Sequence, residues 1–322
     1  MFRPLRPKHW KTMDNNIKKQ VAFTLIELLV VIAIIGILSA LIVVGMSSTT
    51  QKATIAKTQV FSNSLRNSLM NNIVAQYSFD DIDSSDYDPT TKVLNNDVGN
   101  VPDSWLDNEG RAYNGPTVKD GSDCVSGKCL SFDGSDDFVN AGMGLNVTGQ
   151  QLTIGAWAKT TSWSGSSGYA VIAENYQSST GGYFIEREQS NNYFFLGLWT
   201  AAGFKPLIST EVLAENKWFY LVGVFNGTYT AYYVNGISKA TDSFAATVIT
   251  SSNSPFVMGG RTASNRFNGL IDDVRIYNAA MPTSQIQQNY FAGLNKLFAK
   301  QGIESSEYQQ GLVELSNNYA KE

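Results

Sequence analysis

Residues 22–44 read AFTLIELLVVIAIIGILSALIVV, an apolar run interrupted by Thr24, Glu27 and Ser39. From Leu28 to Val44 only Ser39 is polar among 17 residues, and the wider stretch from Phe23 to Met46 has 24. At about 1.5 Å per residue these give helices of about 25 and 36 Å, against a hydrocarbon core of about 30 Å. The segment is therefore expected to be a single membrane-spanning helix. A carboxylate placed in hydrocarbon costs about 2.5–3.5 kcal/mol even on lenient insertion scales, so Glu27 requires a partner.

Charge gives the orientation. Residues 1–22 hold six basic residues (Arg3, Arg6, Lys8, Lys11, Lys18 and Lys19) against Asp14 alone, whereas the rest has 18 basic and 27 acidic residues, a net of −9. The positive-inside rule puts the N-terminus in the cytoplasm and everything after Val44 outside, as in a single-pass protein of the cytoplasmic (inner) membrane. An acidic body argues against a nucleic-acid partner. The single histidine, His9, lies in the basic leader, so the body has no His-dependent triad and no His metal site. Cys124 and Cys129, in DCVSGKC, are too few for a metal site built from four cysteines. Outside the cell they are expected to form a disulfide, the alternative being two buried thiols.

Past the membrane, Ile55, Phe61, Leu65, Leu69 and Ile73 recur at four to six residues, which extends the helical expectation over Gln51–Gln76. Beyond Tyr77 the pattern changes to alternation. KWFYLVGVFNGTYTAYYVNGISKA (217–240) carries Asn226-Gly227 and Asn235-Gly236 between β-branched and aromatic runs, the signature of a three-stranded meander with type I′ turns. Further strands are expected at 130–139, 151–160, 169–174, 182–188, 193–199, 255–259 and 268–277. Short strands between Gly, Ser, Asn and Asp turns indicate an antiparallel sandwich or jelly roll. Ile286, Tyr290, Leu294, Leu297 and Phe298 then recur at helical spacing, and residues 305–320 suit a second helix. The fold class is thus α+β: a long N-terminal helix, an antiparallel β-sandwich and a helical C-terminus.

Two resemblances sharpen this. The basic leader followed by FTLIELLVVIAIIGIL resembles the signal of type IV pilins and of the pseudopilins of type II secretion, over about residues 13–45. The resemblance implies that a prepilin peptidase cuts between Ala22 and Phe23 and N-methylates Phe23. It also implies that Thr24 and Glu27 serve filament assembly, Glu27 meeting the α-amino group of Phe23 on a neighbouring pilin subunit. Breaking such a buried pair costs about 3–5 kcal/mol. Ala22 stands where the family usually has Gly, and the proline that often kinks a pilin helix is absent. Translation from Met13 would give the shorter leader MDNNIKKQVA.

YSFDD at Tyr77, LSFDGSDDFVNAG at Leu130, the meander, and FNGLIDDVRIYNAAMPTSQIQQNY at Phe267 resemble, in order and spacing, the laminin-G-like domains of concanavalin A-type lectins and glucanases, over about 76–291. This implies two antiparallel sheets of six or seven strands with the first and last adjacent. The organisation is a leader over 1–22, a pilin-like helix over 23–76, the sandwich over 77–281 and a helical tail over 282–322.

Family members often hold Ca²⁺ where first and last strands meet, which here implies Asp272, joined by Asp80 or Asp81 and by carbonyls near Gly134. The alternative is that Asp133, Asp136, Asp137 and Asp272 make only turn and strand-end hydrogen bonds. For a glycan or surface-protein ligand, Trp163, Trp199 and Tyr183, with Tyr176 and Tyr193, are the candidate stacking residues, whereas Trp157 and Trp218 are expected in the core. Enzymatic members of the fold place carboxylates at i, i+2 and i+4 on one strand face. FIEREQS offers Glu186 and Glu188 but Ser190 in the third place, so a solvated sheet face, and no catalytic residue, is the expectation. The function expected is a minor pilin or pseudopilin that displays a lectin-like sandwich. The alternatives are a membrane-tethered glycosidase and a binding domain on a simple anchor.

Overall fold

The structure is a computed structural model and describes residues 72–80, 82, 93–94, 110–161, 168–188, 193–261 and 264–319. Ala22, Phe23, Thr24, Glu27, Asp81 and Trp163, with the helix expected before residue 72, lie outside the described residues. Among the described residues no helix is long and apolar enough to cross a membrane.

In chain order the first strands are β1 (Ile73–Tyr77), β2 (Val93–Leu94), β3 (Gly110–Tyr113), β4 (Thr117–Asp120), β5 (Lys128–Asp133) and β6 (Phe138–Asn140). The middle ones are β7 (Leu152–Thr160), β8 (Tyr169–Gln177), β9 (Gly181–Glu188), β10 (Tyr193–Thr200) and β11 (Gly203–Val212). Then come β12 (Phe219–Phe225), β13 (Tyr229–Val234), β14 (Ile237–Ser243), β15 (Val257–Met258) and β16 (Asn268–Tyr277). Two helices follow, α1 (Thr283–Ala299) and α2 (Ser305–Tyr319). The strands form two antiparallel sheets. One runs β14-β13-β12-β7-β16-β5-β4, with β1 also on β16; the other runs β11-β10-β9-β8-β15-β6-β3-β2.

Alternation decides what each strand buries. Along β7, Ile154, Ala156 and Ala158 enter the core between the sheets, with Leu221, Ile271 and Ile276 beside them. Ile172, Tyr183, Ile185, Leu196 and Leu198 meet them from the second sheet. The opposite face of the first sheet carries Trp157, Tyr220, Val222, Val224 and Tyr233, and α1 covers it with Ile286, Tyr290, Leu294 and Leu297. Those four residues recur every three or four positions, so one stripe of the helix lies on the sheet. Trp157 sits 5.2 Å from the Tyr220 ring and 5.7 Å from the Tyr290 ring. Trp157 and Trp218 are thus buried as expected, but in the cluster outside the first sheet and not between the sheets, Trp218 Nε1 donating to the Asp123 carbonyl.

The sandwich, the meander, both C-terminal helices and the adjacency of first and last strands match the expectation. Five details do not. Each sheet has eight strands where six or seven were expected. Ile73, assigned to a helical stripe, opens β1, whose Tyr77 pairs with Val274. The segment 130–139 is two strands in different sheets, β5 and β6, separated by the turn at Gly134 (φ 79°). Only Asn235-Gly236 has the two positive φ angles, 53° and 79°, of a type I′ turn. At the other hairpin Asn226 Oδ1 instead accepts N–H bonds from Thr228 and Tyr229. Finally, β11 has ten residues where no strand was expected.

Candidate functional site

Two places on the sandwich gather unusual chemistry. The first is the outer face of the second sheet, away from the core. In β9, Tyr183 and Ile185 point inward, so Phe184 and Glu186 point out. Cross-strand register then brings Glu174 beside Phe184, and Phe195 beside Glu186. Gly197 lies opposite Phe184, and a Cβ there would run into that ring, so the missing side chain lets Phe184 lie down on the sheet. Phe184 meets Phe195 edge-on at 5.1 Å and Tyr176 at 4.8 Å. Phe204, from β11, stacks on Trp199 at 5.5 Å and on Phe184 at 6.1 Å.

At one end of these rings Arg261 bridges two carboxylates. Its Nε donates to Glu174 Oε1 at 2.7 Å, and Nη2 donates to Glu174 Oε2 at 2.8 Å and Glu186 Oε1 at 2.5 Å. The guanidinium lies 5.6 Å from the Tyr176 ring. Side-chain exposure is 3% for Glu174, 2% for Glu186 and 32% for Arg261. Glu186 is therefore not on a solvated face, as the sequence suggested. Its partner is Glu174 on the neighbouring strand, held through Arg261. Burial, then the adjacent Glu174 charge, push the Glu186 carboxyl well above the ordinary glutamate range, and Arg261 opposes them.

The sign of this shift fixes a pH dependence. Between the ordinary glutamate pKa and the raised folded value, the folded state binds more protons than the unfolded chain, so stability falls as pH rises through that window. Glu186→Gln keeps an oxygen to accept from Nη2 and removes the buried charge. Its melting temperature is expected to match or exceed that of the wild type at pH 7.5, with the difference vanishing near pH 4. A clear loss of stability at pH 7.5 would show that the charge itself holds the strands together.

The second place lies on the outer face of the first sheet. In β16 the register with β7 shifts between Asp272 and Arg275, where Asp273 adopts φ 47°. Such a bulge re-aims the side chains around it. Asp273 pairs with Arg275 through both oxygens, at 2.8 and 2.6 Å. Asp272 is fully buried under the loop closed by the Cys124–Cys129 disulfide. Its Oδ2 accepts the Ser126 N–H at 2.9 Å, while Oδ1 has no hydrogen-bond partner among the described residues. Burial, then the Asp273 charge, raise its pKa well above the carboxylate range, and Asp80 is near enough to add to this. Asp80 Oδ1 accepts the Lys128 N–H of the same loop at 2.7 Å, and Lys128 Nζ donates to the Ile82 carbonyl. The carbonyls near Gly134 are not part of this group, because Asp133 pairs with Asn268, four residues back along β16.

A separate acidic cluster, Asp133, Asp136 and Asp137, brings ligand atoms within 4.8 Å of one another. Asp137 Oδ2 accepts the Asp133 N–H, its carbonyl accepts from Arg266 Nη1, and burial raises its pKa to about 6. Of the stacking candidates, Trp199, Tyr176 and Tyr193 are half-buried on the outer face. Tyr183 is a correction: its ring is fully buried between the sheets and its hydroxyl donates to the Leu145 carbonyl at 2.6 Å, so it is a core residue. Phe204, Glu174 and Arg261 were not singled out in the sequence. Phe204 belongs to the unrecognised β11, and Glu174 and Arg261 come together only through the strand register.

Residues 133–287 match the concanavalin A-like lectin/glucanases superfamily, and residues 17–43 match the prokaryotic N-terminal methylation motif. No curated protein matches the chain. Among solved structures, domain 4 of an extracellular arabinanase from Geobacillus stearothermophilus, in complex with arabinotriose, is similar at a TM-score of 0.52 and 20% identity, over 67% of this chain and 97% of that one. The ligand binding domain of botulinum neurotoxin serotype D, in complex with N-acetylneuraminic acid, gives 0.50 and 16%, over 71% of this chain and 52% of that one. The binding domain of Paraclostridial mosquitocidal protein 1 gives 0.50 and 15%, over 70% and 53%. At such identities the likeness is one of fold, and function has to be argued from the site.

Proposed function

We propose that this chain is a minor pilin or pseudopilin-like surface protein, inserted through its N-terminal helix into a type IV-like filament and displaying a lectin-like sandwich for adhesion. The observation that carries the reading is the union, in one chain, of an N-terminal methylation motif at residues 17–43 with a concanavalin A-like domain at 133–287. The motif supports prepilin peptidase processing at Ala22 and Phe23, pilin partners through Thr24 and Glu27, and a place at the cell surface after assembly. Carbohydrate-bound relatives of the sandwich, in the arabinanase domain and the neurotoxin domain, support a glycan as ligand. Shearing the filaments from cells tests the proposal: the chain is expected in the sheared fraction, labelled by antibody to the sandwich. Retention of the whole pool in the membrane would favour a simple tether.

The tethered-glycosidase reading draws on Glu174 and Glu186. A glycosidase needs one carboxyl to protonate a leaving oxygen and another to reach the anomeric carbon. Both side chains here are covered and engaged by one guanidinium, which supports binding over turnover.

Calcium is part of the proposal, through Asp272 and Asp80. The residue types fit: two carboxylates flank one loop, and Asp272 Oδ1 is buried without a partner among the described residues. Ca²⁺ supplies charge compensation to such hard oxygen ligands, and six to eight oxygens would include carbonyls and water. At about a hundredfold excess over its Kd the ion is expected to add about 2.7 kcal/mol of stability. The melting temperature then rises by about 5 °C or more, and Asp272→Asn removes the response. An equal rise in Asp272→Asn would assign the ion to another site, such as the Asp133, Asp136 and Asp137 cluster.

A further inference from the structure

The two outer faces of the sandwich are both aromatic, yet they end differently. On the first sheet Trp157 and Tyr220 are 2% and 4% exposed because α1 lies over them, its Tyr290 packed on the Trp157 ring. On the second sheet Phe204, Tyr169 and Ile208 stay 37%, 39% and 47% exposed, and no helix among the described residues covers them. Below this accessible layer Phe184 and Phe195 form a buried floor, at 2% and 7% exposure. The rings of Trp199, Phe204 and Phe184 are stacked, each pair within 28° of parallel, so that Trp199 and Phe204 form an aromatic platform over the Phe184 floor.

The polar end of the platform has a distinctive charge. Arg261 is its cation, and three of that residue's N–H groups are taken by Glu174 and Glu186. Among the described residues the strands β8–β11 add no second cation: their basic residues, Arg187 and Lys205, alternate onto the opposite face, Lys205 lying over the Phe244 ring at 5.1 Å. Glu188 adds another carboxylate to the outer face, opposite Tyr169. An anionic ligand here would meet a guanidinium already neutralised by its own carboxylates. The bidentate bond to Glu174 fixes the plane of Arg261, and none of its bonds to the two carboxylates engages Nη1, which can donate.

We propose that this face is the saccharide-binding surface and that it selects uncharged saccharides over sialylated or uronate-containing ones. The inference rests on the lectin-like reading above and names its ligand class. Sugar C–H faces stack on Trp199 and Phe204, whose flat rings suit them. Hydroxyls accept from Arg261 Nη1. Glu174 and Glu186 act as positioning residues: they hold Arg261 and cancel its charge without touching the sugar.

The test uses the full chain in a sugar-free zwitterionic detergent, titrated calorimetrically with arabinotriose, cellotriose, laminaritriose and 3′-sialyllactose after screening on an array of neutral and acidic glycans. At least one neutral oligosaccharide is expected to bind, and sialyllactose to bind about tenfold more weakly or not at all. Trp199→Ala and Phe204→Ala should each weaken neutral binding by about tenfold or more, with the melting temperature retained. The double variant Glu174→Gln, Glu186→Gln frees the charge of Arg261 and should narrow or invert the preference for the neutral sugar. Tighter binding of sialyllactose by the wild type would overturn the charge argument. Neutral binding unchanged in both ring variants would put the site elsewhere. Either result leaves filament display standing, whereas silence across the whole array would remove the carbohydrate form of the proposed function itself.

Discussion

Arg261→Ala is expected to lower stability by about 3–5 kcal/mol at pH 7.5, because it strands two buried carboxylates that share one cation. For a unit of this size that is a fall of about 10 °C or more in melting temperature. The loss has a pH signature that ordinary packing damage lacks. Burial and the neighbouring Glu174 charge already raise the Glu186 carboxyl, so acid protonates it readily and relieves the repulsion, and most of the deficit should be recovered at pH 4. Arg261→Lys should fall in between, since an ammonium restores the charge but cannot reproduce the fork that meets both oxygens of Glu174. A melting temperature lowered equally at pH 4 and pH 7.5 would mean that Arg261 stabilises by packing on Tyr176 and not by charge.

Glu27→Ala is expected to abolish incorporation into sheared filaments, while the chain is still made, inserted and processed. In the proposed single-pass arrangement the carboxylate would meet the edge of hydrocarbon before assembly, where removing it would ease insertion. Within a filament it would meet a neighbouring subunit's Phe23 amine, and the variant would leave that amine buried and unpaired. The expected cost, about 3–5 kcal/mol per contact, falls on every addition of this subunit. Glu27→Asp keeps the charge but shortens the reach, so partial incorporation is expected. Wild-type amounts of Glu27→Ala in the sheared fraction would remove the pairing role.

The sandwich was legible because its signals are local. The alternation in 151–160 and 217–240, and the Asn235-Gly236 turn, need no long-range knowledge. Ile73 was misread because a five-residue strand follows directly on a run of helical spacing, and only its pairing with Tyr277 across the sheet decides the matter. β11 was missed because Gly203 and Pro206 break its pattern. As the last strand of its sheet, it can accommodate a proline. Tyr183 illustrates a limit of alternation: with aromatics at both 183 and 184, the sequence has one for each face and does not say which is inward. The Glu174–Arg261–Glu186 group spans 87 and 75 residues and exists only through strand register, so no spacing rule finds it. The pairing of Cys124 and Cys129, five residues apart, is by contrast local. Asp272 was reached through a family resemblance, whereas its unpartnered Oδ1 became visible only in the fold.

The most direct measurement is intact-mass and N-terminal analysis of the protein recovered from its own cells. A mature chain is expected that begins at Phe23, carries one methyl group on its α-amine and has lost residues 1–22. A chain that keeps its leader, or begins elsewhere with an unmodified amine, would contradict it. Glu27 would then lack its α-amino partner, and the sandwich would be a binding domain on a plain membrane tether.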